Sequence, residues 1–195
     1  MIQIIDYGAG NIKSVQNALT QLGVSSKIVS SGKELDINCK TIFPGVGAAG
    51  SAMQTLKERG FLWKIPKIKA PFLGICLGMQ LLMDYSAENN TKCLGIIDGK
   101  VRKLQKTVKI PQIGWNKIDQ LTPQNLLFKD IPDQSYFYFV NSYFVDADSN
   151  SIGSTDYGIV FTSVINKINF YGVQFHPEKS GTIGLKLLNN FCKLC

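Results

Sequence analysis

The chain has 195 residues, 45% apolar and 18% charged, which supplies enough Ile, Leu, Val and Phe for a sizeable core and excludes a disordered or collagen-like chain. Lys and Arg outnumber Asp and Glu by 21 to 14, a net charge of +7, yet only Arg59 and Arg102 are arginines and the lysines are spread along the chain, so no nucleic-acid surface is indicated. The cysteines Cys39, Cys76, Cys93, Cys192 and Cys195 are odd in number and lack CxxC or CxxH spacing, which suggests neither a disulfide framework nor a zinc site and fits a reducing cytosol.

The first half alternates short apolar runs with amphipathic ones, the pattern of β-α units feeding a parallel sheet. Residues 2–5 read as a strand. Gly8-Ala9-Gly10-Asn11 turns into a helix carrying Ile12, Val15, Leu19 and Leu22 on one face, stopped by Gly23. Strands are expected at 25–29 and 41–43, then a helix from about 48 toward 59. A wholly apolar strand at 72–75 runs straight into a helix expected to hold Gln80, Leu81, Leu82 and Met83. From about residue 92 the texture changes to β-like runs at 100–104, 110–118, 136–145, 158–165 and 170–175, punctuated by Gly, Pro, Asn and Asp. A closing helix at 180–193 places Ile183, Leu187, Leu188 and Phe191 on one face. The expectation is one α/β domain over residues 1–195, a mostly parallel sheet flanked by helices with additional antiparallel strands.

The N-terminus lacks a basic leader and reads as a strand from its start. The most apolar stretch, 72–83, is interrupted by Gly74, Gly78 and Gln80 and is shorter than the roughly 20 residues a membrane span needs. A cytoplasmic protein without a membrane partner is expected.

Three features could carry chemistry. Gly74-Ile75-Cys76-Leu77-Gly78 sits where a strand turns directly into a helix. A nucleophile on so tight a turn holds strained dihedrals, and side chains two positions either side would collide, which explains the glycines. Cys76 at a helix start is also placed to favour a thiolate. In Gln174-Phe175-His176-Pro177-Glu178, the chain's only histidine ends a strand, and Glu178 two residues on can hold one ring nitrogen while the other faces a thiol, the logic of a catalytic triad. Pro44-Gly45-Val46-Gly47 follows the third strand, where two glycines let backbone N–H groups swing toward a neighbouring strand end, as an oxyanion hole requires; the Leu77 N–H would be the partner donor. Taken singly, these features also read as a core cysteine, a surface histidine and a turn. All three fall at C-terminal ends of expected strands, where open α/β sheets place their sites.

Together with Gln80, these segments resemble the class I, triad-type glutamine amidotransferases, which implies a flavodoxin-like fold. More narrowly, Ile5-Asp6-Tyr7-Gly8-Ala9-Gly10-Asn11, Ile113-Gly114-Trp115-Asn116, Tyr138-Phe139-Val140 and the run from Gly172 to Ser180 resemble the glutaminase subunits (HisH) of imidazole glycerol phosphate synthase, over essentially the whole chain. The resemblance implies that Cys76 attacks the side-chain amide of glutamine, that His176 moves the proton and that Glu178 orients His176. It implies an oxyanion hole at Gly47 and Leu77, resting in an unproductive orientation, with glutamine held by Gln80, Glu88 and the Ser142-Tyr143 backbone. It places Asn11, Tyr138 and Lys179 at the interface with a TIM-barrel cyclase, HisF, which takes the ammonia and makes imidazole glycerol phosphate and AICAR from PRFAR in histidine biosynthesis. No cofactor or metal is implied.

Two positions depart from the family pattern, Gln112 and Asn141 standing where histidines are usual. They motivate an alternative, a HisH-like paralogue supplying a HisF-like partner with ammonia for amidine formation on a surface-polysaccharide sugar. An inactive interaction subunit would need none of Cys76, His176 and Glu178. A stand-alone cysteine peptidase would leave the Tyr7 to Asn11 and Lys179-Ser180 segments without a role.

Overall fold

A computed structural model describes residues 1–146 and 149–195. The strands β1 (Ile2–Ile5), β2 (Ser26–Val29), β3 (Thr41–Gly45) and β4 (Phe72–Cys76) alternate with the helices α1 (Ile12–Gln21), α2 (Ala49–Glu58) and α3 (Leu77–Gln80). Next come the short strands β5 (Tyr85–Ser86) and β6 (Thr91–Lys92), then β7 (Lys100–Lys103), β8 (Gln112–Lys117), β9 (Asp119–Gln120), β10 (Tyr136–Asn141) and β11 (Tyr143–Val145). The chain closes with β12 (Ser151–Asp156), β13 (Val160–Lys167), β14 (Phe170–Val173) and α4 (Gly181–Lys193).

Strands β2, β1, β3, β4 and β14 lie side by side and parallel. The sheet continues through β13, β11, β7, β5 and β6, with β13 and β11 antiparallel to their neighbours. Side chains alternate across the sheet with period two. Ile2 and Ile4 face α1 and α4 in one core with Val15, Leu19, Leu187, Leu188 and Phe191, whereas Ile5, Phe43 and Phe72 face α2 in another with Ala52 and Leu56. The buried polar exception on β1, Gln3, is satisfied by Thr41 Oγ1 at 2.9 Å and by carbonyls of the 36–39 loop. Among the described residues no helix is long and apolar enough to cross a membrane.

The structure corrects the sequence reading in three places. The helix after β4 ends at Gln80 rather than running through Met83, because the carbonyls of Leu81, Leu82 and Met83 accept N–H bonds of 2.9–3.0 Å from Leu94, Gly95, Ile96 and Ile97. The run at 136–145 is two strands: β10 pairs with β8 in a separate two-stranded sheet, and β11 joins the main one. At the break, the Ser142 carbonyl accepts from the Leu104 N–H at 2.9 Å. Strand β12, Ser-Ile-Gly-Ser-Thr-Asp, lacks an apolar pattern and was not expected; it is drawn in by pairing with β13 and β9.

Candidate active site

The ends of β3, β4 and β14 open onto a cavity of about 330 Å³ lined by Val46, Gly47, Cys76, Leu77, Gln80, Glu88, Pro111, Val140, Asn141, Ser142, Tyr143, His176 and Lys179. Residues far apart in the chain thus share one wall at the carboxyl edge of the parallel strands.

Cys76 is the last residue of β4 and caps α3 at φ +54°, ψ −110°, a conformation that L-residues seldom adopt. Main-chain crowding accounts for the glycines on either side of it. A Cβ on Gly78 would stand 2.0 Å from the Phe43 carbonyl oxygen, and one on Gly74 would stand 2.6 Å from the Gly78 carbonyl oxygen. The Cys76 Sγ lies 3.7 Å from the Val140 carbonyl oxygen and 3.6 Å from Gln174 Nε2. Leu77, as first residue of α3, has an N–H without an intrahelical acceptor.

His176 follows β14 and is anchored on both sides. Its N–H donates to the Tyr138 carbonyl at 2.9 Å, and its own carbonyl accepts from Ser180 Oγ at 2.7 Å. Phe175 beneath it is wholly buried against Phe137 and Phe139, with ring centroids 4.2 and 5.6 Å away. The ring's Nδ1 is 2.8 Å from Glu178 Oε1. Burial disfavours the imidazolium, but hydrogen bonds to Cys76 and Glu178 and the charges of both outweigh it and push His176 up to about 10. An imidazole so held on one nitrogen and facing a thiol on the other can take and return a proton.

Glu178 lies behind His176, its side chain 1% exposed, and borders a second cavity of about 270 Å³ between α1 and α4. Opposite the elbow, Gly47 sits at φ +97° with nothing within 4 Å of where a Cβ would be, and the buried Tyr7 hydroxyl donates to the Val46 carbonyl at 3.1 Å. Burial raises the Tyr7 phenol well above its ordinary range, so it remains a donor. Glu88 Oε2 accepts from the Ala49 N–H at 2.8 Å, capping α2 and standing its carboxylate at the cavity wall.

The structure therefore brings Cys76, His176, Gly47, Leu77, Gln80, Glu88, Ser142, Tyr143 and Lys179 onto one cavity, with Glu178 behind it. Asn11 and Tyr138 stand outside its wall. Asn11 Oδ1 accepts from Ser14 Oγ at 2.7 Å before α1, and the Tyr138 ring lies edge-on to Trp115 at 5.9 Å. Both N–H bonds of the Gln80 amide are committed, to the Tyr143 carbonyl at 3.0 Å and to Gln174 Oε1 at 2.9 Å, so Gln80 can offer a ligand only its oxygen. Asn141 Nδ2 also donates to the Tyr143 carbonyl, at 3.1 Å. The departing pair Gln112 and Asn141 face each other across β8 and β10, each with a buried amide oxygen that has no hydrogen-bond partner among the described residues. Sequence reasoning gave Gln174 no role, although it sits inside the same run as His176. Among the described residues no cluster of His, Cys, Asp and Glu side chains could hold a metal.

The family model for class-I glutamine amidotransferases matches residues 3–195. The chain belongs to that family. Within it, the chain is 48% identical to an imidazole glycerol phosphate synthase subunit HisH of Dehalococcoides mccartyi, covering 100% of this chain and 97% of the relative. It is 48% identical to the subunit of that name from Methanocaldococcus jannaschii, covering 100% of both. Two solved structures share the fold: PurLQS from Thermotoga maritima, at TM-score 0.77 and 17% identity over 98% of this chain and 96% of that one, and a glutamine amidotransferase, at TM-score 0.76 and 16% identity over 99% and 97%.

Proposed function

We propose that the chain hydrolyses glutamine at Cys76 and hands the ammonia to a TIM-barrel cyclase of the HisF kind, as the glutaminase half of an imidazole glycerol phosphate synthase heterodimer in the cytosol. The observation that carries this reading is the thiol at a main-chain-locked elbow, sharing a cavity with an imidazole held by a buried carboxylate at 2.8 Å. In the reaction His176, whose raised basicity favours the imidazolium, holds the Cys76 proton and the Sγ thiolate attacks the side-chain amide carbon. The tetrahedral oxyanion is met by the Leu77 N–H and a donor from the Gly47 loop. His176 then protonates the departing nitrogen and ammonia leaves a γ-glutamyl thioester. Water, deprotonated by His176, attacks the thioester carbon; glutamate leaves and the thiolate is restored. Glutamine is held by Glu88, the Gln80 oxygen and the Ser142-Tyr143 backbone.

The partner face is proposed around the cavity mouth, at Asn11, Tyr138 and Lys179. The neighbouring strand β8 presents Ile113 and Trp115 more than half exposed, large apolar side chains of the kind interfaces cover. The test is glutamate release with and without the cognate barrel protein loaded with its acceptor: slow turnover alone and stimulation by orders of magnitude in the pair are expected, and full turnover by the isolated chain would contradict it. The second reading, ammonia for sugar amidine formation through a HisF-like partner, is favoured by Gln112 and Asn141 replacing the family's histidines beside the cavity. Complementation of a histidine auxotroph lacking its glutaminase subunit, with the cognate barrel co-expressed, separates the two.

A further inference from the structure

Gln174 is wholly buried between β14 and His176 and has no part in the reaction as written above. Its amide lies in a chain of hydrogen bonds whose direction is fixed at one end. The Tyr143 carbonyl can only accept, so the Gln80 amide must turn its NH₂ toward it, at 3.0 Å. That same NH₂ meets Gln174 at 2.9 Å, which must present its oxygen there. The Gln174 NH₂ is left facing Cys76 Sγ at 3.6 Å. Turning the Gln174 amide over would set NH₂ against NH₂ and a carbonyl oxygen against sulfur. The sulfur also lies 3.7 Å from the Val140 carbonyl oxygen, which accepts from the S–H form and opposes the thiolate.

We infer that Gln174 is a catalytic residue, the N–H donor that stabilises the Cys76 thiolate, with Gln80 and the Tyr143 carbonyl as the positioning chain that keeps its donor end on the sulfur. The inference rests on the glutaminase reading only in taking Cys76 as the nucleophile. It also links substrate recognition to the nucleophile, since Tyr143 and Gln80 line the cavity that glutamine would fill. The titratable groups around the sulfur are His176, with Glu178 behind it, and Tyr7 from the β1–α1 loop; Glu88 and Lys179 share the cavity wall.

The experiment measures alkylation of Cys76 by iodoacetamide across a pH series on the full chain, mapped by mass spectrometry, in the wild type, Gln174→Leu, Gln174→Glu and Gln80→Leu. Gln174→Leu removes the donor and should slow alkylation near neutral pH about tenfold and move the pH midpoint up by about one unit, the scale of one hydrogen bond to a charged group. Gln174→Glu keeps an oxygen for Gln80 but opposes a carboxylate to the sulfur, and should move the midpoint further. Gln80→Leu frees the Gln174 amide to turn and should give a smaller shift in the same direction. For glutamine, kcat should fall with KM within about threefold. A Gln174→Leu profile that superimposes on the wild type would overturn the inference, since a packing role alone lowers turnover without moving the profile. Should that variant not fold, unchanged profiles in Gln174→Glu and Gln80→Leu overturn it equally. Iodoacetamide does not depend on glutamine recognition, so failure of the wild type to turn over glutamine would sink the glutaminase reading while leaving this one measurable.

Discussion

Two glycine-bearing corners face each other across the cavity, and they differ in how much room the backbone has. At the elbow a Cβ would meet main-chain atoms at 2.0 Å from Gly78, 2.6 Å from Gly74 and 2.7 Å from Gly45, whereas Gly47 has nothing within 4 Å. The register explains part of the difference: Gly45 pairs with Cys76 inside the sheet, and Gly47 lies beyond the last paired residue of β3. The proposed nucleophile Cys76 is therefore carried on a turn whose neighbouring backbones pack too closely for any side chain at its glycines, while the loop proposed to offer an oxyanion donor is held by its own torsions and the Tyr7 to Val46 hydrogen bond. On the proposed reading this separates a closely packed nucleophile turn from a donor loop with room to turn, and a partner that acts on turnover would have the loop to act on.

The largest expected effect lies at the fixed corner. Cys76→Ala should abolish glutamate release while leaving the folded structure intact by circular dichroism, because alanine at this position keeps the same backbone. A glutamine-analogue electrophile should label Cys76 in the wild type, and labelling at Cys39, Cys93, Cys192 or Cys195 instead would break the assignment of the elbow. Next in size is Gly78→Ala. Its methyl would stand 2.0 Å from the Phe43 carbonyl oxygen, backbone against backbone, so the loss should exceed the usual overpacking range and reach about 3 kcal/mol or more in denaturant unfolding. A stable, active Gly78→Ala protein would show that the elbow is not locked as described.

That corner was the most legible part of the molecule because its constraint is local: the glycines two residues either side of Cys76 are required by the same turn that strains it, so the constraint is written into five consecutive residues. The wholly apolar β4, and β1 with its single polar residue Gln3, were readable for a similar reason, both faces of each being covered. What could not be read depends on partners distant in sequence. The end of α3 is decided by N–H groups of residues 94–97, and the change of sheet at Ser142 falls inside a run, Tyr136 to Val145, that is apolar or aromatic apart from Asn141-Ser142. Gln174 gains its meaning only when Gln80 and Tyr143 are brought to it from 94 and 31 positions away.

A smaller effect concerns the charge state of His176. Burial alone would lower it, but its hydrogen bonds to Cys76 and Glu178 raise it from 6.5 to about 10, so the imidazolium contributes stability that is whole below about pH 6.5 and is lost as pH climbs through about 10. Because the chain has one histidine, its imidazole titration is a single curve by NMR. Cys76→Ala should move that curve down in pH while Glu178 still holds Nδ1, and it should flatten the fall in unfolding free energy between pH 6.5 and 10 relative to wild type. Cys93, pushed up to about 12 by burial and the nearby Asp84 and Glu88 charges, contributes a loss of stability in the same direction at higher pH, which cancels in the difference between the two proteins and leaves the Cys76–His176 pair. An unmoved curve would mean that the sulfur does not face the ring.

The smallest effect should come from Gly47→Ala, and it is the direct counterpart of Gly78→Ala. The added methyl meets no atom, so the penalty is the torsion alone: a non-glycine residue held at φ +97° costs about 1–2 kcal/mol, a drop of a few degrees in melting temperature. The N–H is retained, so turnover should not suffer the roughly 10²–10³-fold loss that follows removal of an oxyanion donor. If the loop must turn to bring a donor to the oxyanion, a residue that narrows its allowed torsions should lower partner-stimulated turnover, on the order of tenfold, more than it lowers the basal rate. Equal loss in both rates would place the loop's donor in position before the partner arrives. A destabilisation as large as that of Gly78→Ala would remove the distinction between the two corners altogether.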